Sequence, residues 1–382
     1  MSGFYRTLTL DHTQAGSADT TDYPCFWGGN ASLATIANGG KVTSLLGYDI
    51  VFCTNPASPL TSKLPFERVA WSATTGLGEF WIQIPTLSHS TDTVVYCYYG
   101  DATIITDQQN ANGTWDSNYV AVYHFGAASS LTLTDSTSNA NNGTNHGATG
   151  AVGLLGGGVG GALHFTAASS QYVDCGNGSS LNITSAISVE VVVNTDSLPG
   201  SGVFPRAVSK TQGSGAFPGY EVNLHDSTGA IAHEMYYQAN GGNGGSMPGG
   251  TQQPLVVGNI YYFSFTNTAV ASTGNALGSK TTFSDTCLSI GNTVSVPTTT
   301  TSHLFLGQFA SGSQFWDGYL DEVRVSNVAR SVSYQTASFN NISSGSTFVS
   351  VGSETPVGGG GGLLVNPGDS GGMQLLQGGC NA

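Results

Sequence analysis

Residues Leu133–Gly143 read LTDSTSNANNG, a loop dense in short oxygen-bearing side chains: Asp135, Ser136, Asn139, Asn141 and Asn142, closing on Gly143. Such a loop suits a hard cation, because Ca²⁺ takes roughly six to eight oxygens from carboxylates, amides, carbonyls and water. The plain alternative is a polar surface loop built from turn residues. A partner carboxylate lies far downstream. In the strand pattern Gly318–Val325, alternation places Asp321 on the face of Tyr319, Val323 and Val325. A carboxylate on an apolar face is costly to bury unless something pairs with it. Either Ca²⁺ bridges Asp321 to the loop, or Asp321 accepts the loop's backbone N–H groups with no metal.

Other chemical signatures fail on context. Gly368-Asp369-Ser370-Gly371-Gly372 spells a serine-protease nucleophile motif, but it sits in a glycine-rich tail with no histidine motif upstream. That chemistry needs a base and an orienting carboxylate held on a rigid frame. Gly156–Gly161 lacks the strand–helix setting of a nucleotide loop. Glu67 and Glu79 form a potential carboxylate pair, although glutamates on neighbouring strands more often face solvent.

The elements that must position these residues are strands. Charged residues make up only 8% of the 382-residue chain, where roughly a quarter is usual, while glycine is about doubled with 54 residues. Period-two apolar runs recur between Gly, Asn-Gly and Ser-rich turns, and helical periodicity is nearly absent. Strands are predicted near Tyr5–Leu10, Tyr48–Phe52, Phe66–Trp71, Glu79–Ile84 and Thr93–Tyr98, then in about ten runs between Val120 and Val325. The fold class is all-β, with two β-sandwich domains in tandem: residues 1–115, residues 116–355, and a glycine-rich tail at 356–382. The net charge of −14, with 9 Lys+Arg, offers nucleic acid or an anionic membrane no basic patch. It suits cations and neutral sugars better. No apolar window approaches the roughly 18 residues of a membrane helix. The strand pattern from Phe4, with no leader before it, leaves either a leader removed for expression or delivery by assembly into a particle, and the start at Met1-Ser2-Gly3 favours the second. None of the six cysteines forms a C-x-x-C, so buried free thiols are the default, with one or two disulfides open.

Two ordered sets of motifs carry resemblances. Leu64-Pro65-Phe66-Glu67, Trp71, Gly78–Pro85 and Val95–Gly100 resemble an uncharacterised β module that commonly precedes a jelly roll in large bacterial and phage surface proteins. The loop Asp135–Gly143, then Gly160–Phe165, Gln171–Asp174, Ile187–Val189 and Phe315–Val325, resemble the concanavalin A-like, laminin G-like jelly roll over about 119–335. The second resemblance implies a structural Ca²⁺ held by Asp135, Asn139 and Asp321, with Asn141 beside them. It implies glycan binding on exposed aromatics, with Tyr236, Tyr237 and Trp316 as candidates and Asn240 and Asn243 in the following loop. Each such aromatic is individually more often core. Glucanases of this fold class carry a Glu-x-Asp-x-x-Glu strand motif, and here no glutamate is followed two residues later by an aspartate.

The expectation is a non-enzymatic virion (phage) or cell-surface structural protein whose jelly roll binds glycan. It would belong to an oligomeric assembly joined to other structural subunits through the 356–382 tail. The alternatives are a secreted carbohydrate-active enzyme or its accessory lectin domain, and a purely structural subunit.

Overall fold

The computed structural model describes residues 3–127, 129–155, 159–212, 218–226, 233–239, 245–247, 255–268, 274–278, 296–343 and 345–357. The first six strands are β1 (Gly3–Leu10), β2 (Thr20–Gly29), β3 (Val51–Cys53), β4 (Phe66–Trp71), β5 (Leu77–Leu87) and β6 (Thr93–Tyr99). They form two antiparallel sheets, one ordered β2-β5-β4 and one in which β6 lies between β1 and β3. Alternation sorts the faces. Phe80, Ile82 and Ile84 of β5 stand beside Trp27, Cys25 and Tyr23 of β2 in register, and all six are buried. Glu79 and Trp81 take the opposite face, with Phe26 beside Trp81 on β2 and Glu67 beside it on β4.

After a single helical turn, α1 (Ala111–Thr114), the jelly roll begins. Its strands are β7 (Tyr119–Tyr123), the short pair β8 (Gly126–Ala127) and β9 (Ser130–Leu131), β10 (Thr144–His146), β11 (Thr149–Val152), β12 (Gly161–Phe165) and β13 (Tyr172–Asp174). β14 (Ile187–Thr195), β15 (Arg206–Thr211), β16 (Gly219–Asp226), β17 (His233–Ala239) and β18 (Gly245–Met247) follow. β19 (Ile260–Asn267), β20 (Gly274–Gly278), β21 (Phe305–Leu306) and β22 (Gly318–Ser326) complete it. The front sheet runs β10-β13-β21-β15-β16-β17-β18. The back sheet runs β11-β12-β22-β14-β19-β20, with β7 also paired to β22. Val173, Leu306, Val208, Val189, Val191, Val193, Leu320, Val323 and Trp316 fill the space between them.

The outer face of the back sheet is covered as well. Tyr119, Val122, Val192 and Tyr262 join Phe26 and Trp81 in one apolar cluster that also holds the first sandwich's core. The two domains therefore share a packed seam. Strand β22 is bulged there: Val192 faces Asp321 and Glu190 faces Arg324, so Glu322 and Val323 together oppose one residue, Val191. Glu322 takes φ 48, the left-handed conformation of a bulge residue. The alternation predicted for Asp321, on the face of Val323 and Val325, fails at this bulge. Both valines point into the jelly roll, while Asp321, Glu322 and Arg324 turn toward the seam.

Two features differ from the sequence reading. Helix α2 (Val332–Ser343) arises where no helix is predicted, and a short helix α3 (Gly345–Phe348) follows it. The buried face of α2 includes Tyr334, Ala337, Ser338, Asn341 and Ile342, at helical spacing. Half of that face is polar, which hides the pattern. Asn341 takes a strand's place: its amide accepts from the Phe26 N–H at 2.7 Å and donates to the Phe26 carbonyl at 3.0 Å. The boundary expected at residue 355 also fails. β23 (Val349–Val351) and β24 (Thr355–Val357) both pair with β1, so residues assigned to the jelly roll and the tail complete the first domain's sheet. The rest of the tail, residues 358–382, lies outside the described residues. No helix among the described residues is long and apolar enough to cross a membrane. Cys25, Cys53, Cys97 and Cys175 are buried free thiols.

Truncation after Phe348 strips β1 of both C-terminal neighbours. Each backbone bond lost costs roughly 0.5–1.5 kcal/mol, so the truncated chain is expected to melt several degrees lower. Hydrogen exchange should show β1 amides opening first. An unchanged melting temperature would contradict the pairing.

Candidate functional site

The front sheet carries an open groove of ≈ 660 Å³ lined by Tyr172, Asp174, His303, Phe305, Gln308 and Phe315, among others. Alternation builds it. Val173, Leu304 and Leu306 point into the jelly roll, so Tyr172, Asp174, His303 and Phe305 point out. Asp174 stands directly across from Phe305. His303 Nδ1 lies 2.8 Å and 2.9 Å from the two Asp174 carboxylate oxygens. The Gly176 N–H donates to Asp174 at 2.8 Å. Tyr172 is stacked by His146 at 4.2 Å and meets Phe305 edge-on at 6.0 Å. The result is a fixed aromatic strip beside an anchored carboxylate.

The second constellation is the ionic layer in the seam. His124, just after β7, packs against the rings of Trp81 and Trp115, at 5.7 Å and 5.2 Å, and those two rings lie 5.5 Å from each other. Its Nδ1 is 2.6 Å from Glu322 and 3.8 Å from Glu79, and its Nε2 is 3.4 Å from Glu67. Glu67 also accepts from Trp115 Nε1 at 2.8 Å and Ser136 Oγ at 2.6 Å. Arg324 Nε approaches Glu190 at 3.5 Å and Glu322 at 3.8 Å, and the guanidinium lies 4.7 Å over Trp81. Tyr262 donates to Glu190 at 2.8 Å. Burial opposes charge throughout, and neighbours decide which groups keep theirs. Burial disfavours the charged forms of Glu322, Glu67 and His124. His124 nevertheless holds Glu322 and Glu67 below the usual carboxylate range, and those two glutamates raise the His124 pKa to about 10. Burial, then the Glu322 charge, pushes Glu79 and Asp321 well above that range. The sequence expectation of solvent-facing Glu67 and Glu79 is thus wrong. Their face of the β2-β5-β4 sheet is covered by the jelly roll.

The residues expected to hold Ca²⁺ do not fit that ion. Asp135 accepts from the Val122, Thr137 and Asn141 N–H groups and from Thr137 Oγ1, all within 3.0 Å, which occupies both carboxylate oxygens. Asn139 and Asn141 turn their amide N–H groups onto backbone carbonyls of β7. Asp321 accepts from the Leu154 and Glu322 N–H groups, both at 2.8 Å, and shares no hydrogen-bond partner with Asp135. The loop closes on its own N–H groups, as an Asx-rich loop does.

Of the expected glycan residues, Trp316 is 0% exposed and belongs to the jelly-roll core, which removes it from any binding face. Its neighbour Phe315 lines the groove instead. Tyr236 and Tyr237 fall in β17, opposite Asn223 and Val222, and Asn240 and Asn243 lie outside the described residues. Tyr172, Asp174, His303 and Phe305 escaped sequence reasoning. Their signal was present as aromatic and polar side chains on the outward half of an alternating pattern.

Residues 166–333 match the family model of the concanavalin A-like lectin/glucanases superfamily. No curated protein sequence matches the chain. Among solved structures, domain 4 of AbnA, an extracellular arabinanase from Geobacillus stearothermophilus in complex with arabinotriose, is 17% identical with a TM-score of 0.40, and the match covers 58% of this chain and 98% of that one. The binding domain of Paraclostridial Mosquitocidal Protein 1 is 11% identical with a TM-score of 0.42, covering 59% of this chain and 52% of that one. The binding domain of Botulinum Neurotoxin DC in complex with SialylT is 7% identical with a TM-score of 0.36, covering 61% and 52%. The chain spans about half the length of these toxin domains.

The seam makes a mutational prediction. Removing one partner of a buried ion pair costs roughly 3–5 kcal/mol, because the other charge is stranded. Arg324→Met is expected to destabilise by about that amount, and adding Glu190→Gln should recover at least about half. Chemical denaturation of the two single variants and the double variant gives the coupling; strict additivity would contradict it.

Proposed function

We propose that this chain, whose residues 166–333 match the concanavalin A-like jelly-roll family, is a non-enzymatic glycan-binding protein of a virion or cell surface. The groove on the front sheet carries the reading. A sugar ring presents an apolar C–H face to stack on an aromatic ring and hydroxyls that need acceptors and donors around it. Tyr172, Phe305 and Phe315 offer the first, and Asp174, His303 and Gln308 the second. The groove's ≈ 660 Å³ lies within the size range of small-ligand sites. The net charge of −14 favours neutral oligosaccharides over sulfated or sialylated ones.

Hydrolysis fits the groove less well. It needs two carboxylates flanking the scissile bond, roughly 5 or 6.5–9.5 Å apart. Among the described lining residues Asp174 is the one carboxylate, and it is held by His303. The surface assignment rests on the chain's low content of charged residues, its strand-rich build and the module resemblance of its first domain.

Titration against neutral oligosaccharides tests the reading. Tyr172→Ala and Asp174→Asn should each weaken binding at least about tenfold, as a lost stacking face or charged hydrogen bond does, with unchanged melting temperatures. Equal binding by all three proteins would move the site elsewhere. Release of reducing ends from a polysaccharide panel would overturn the non-enzymatic reading. Immunogold labelling of native particles and cells tests the surface assignment.

A further inference from the structure

The seam offers a second site, independent of the glycan reading. Glu79 of the first domain and His124 and Glu322 of the jelly roll each turn one ligand atom toward a common point. The three atoms lie within 4.8 Å of one another, and all three residues are buried. We propose that these residues bind a divalent transition ion, Zn²⁺ or Mn²⁺, which staples the two domains together. His124 Nδ1 faces Glu322 and Glu79, the arrangement of one imidazole nitrogen and two carboxylates that suits such ions better than Ca²⁺.

Two further observations point to a cation. Glu322 Oε2 makes no hydrogen bond, although its side chain is 0% exposed. A buried polar atom without a partner marks an unmet ligand. His124 Nε2 faces Glu67, which Trp115 and Ser136 hold in place. A metal-bound histidine is oriented in the same way, by a carboxylate on its other nitrogen. A cleft of ≈ 380 Å³ reaches His124 beside Glu67, its lining including Glu67, His124, Asp135 and Ser136.

A competing group exists at the surface, where Asp11, His12 and Asp92 cluster in partly exposed positions. The test therefore separates the two. Full-length protein is stripped with EDTA, dialysed against Zn²⁺ or Mn²⁺, and assayed by elemental analysis and thermal melts. The wild type should retain one equivalent and melt several degrees higher with metal, because a ligand of the native state stabilises it. Glu79→Gln and Glu322→Gln should each lower affinity at least about tenfold. Glu67→Gln, acting through His124, should lower it about 10- to 100-fold. Asp92→Asn should bind like the wild type. His124→Asn separates the roles less cleanly, because the imidazole also packs against two tryptophans. Failure of the folded wild type to retain metal would overturn the proposal. So would equal binding by Glu79→Gln and Glu322→Gln, or loss confined to Asp92→Asn.

Discussion

Two sheets pressed face to face must either empty their shared seam of charge or balance it within the seam. This chain balances it. Glu67 and Glu79 come from one side, and His124, Glu190, Asp321, Glu322 and Arg324 from the other, all buried or nearly so. A buried charge without a counterpart costs several kcal/mol, so the docking of the domains is specific. Shifting one sheet by a single residue exchanges its faces and would place apolar side chains where these charges now meet. The tryptophans serve the same balance: Trp81 and Trp115 pack against His124 and offer ring faces to Arg324.

The bulge at Glu322 connects sequence to this layer. A regular strand would send alternate residues of Asp321–Val325 inward. The extra residue lets Leu320, Val323 and Val325 fill the jelly roll while Asp321, Glu322 and Arg324 all reach the seam. Local strain at a positive φ is accepted in exchange for a dense charge cluster. Arg330 acts similarly at the junction. It grips both oxygens of Asp116 at 2.5 Å and 2.9 Å and lies over Tyr119 and Tyr334, tying the interdomain segment to helix α2.

Alternation made much of this legible from sequence. Phe66–Trp71 is a strand with the predicted bounds, and the runs around Ile187, Ile260 and Gly318 fall where expected. The motifs Gly160–Phe165 and Phe315–Val325 identified the jelly roll. Three things stayed hidden, for physical reasons. Helix α2 buries serine, glutamine and asparagine, so its pattern is not apolar. A bulge is invisible to period-two counting, which misplaced Asp321. Long-range covering is invisible as well: nothing local to Glu67 or Glu79 signals that another domain lies over them. The groove residues were missed for the opposite reason, since outward aromatics in a strand look like ordinary alternation until the structure shows them side by side.

Gly3 of β1 stands directly across from Val357 of β24. Residues 3 and 357, the first and last described, therefore leave the sheet at the same end of adjacent antiparallel strands. Tension applied through both flanks would load their hydrogen bonds one after another, opening them like a zip instead of shearing the ladder all at once. A tether at both ends is then the mechanically soft direction of this fold, while the seam and the jelly roll beyond it stay shielded until β1 has peeled away.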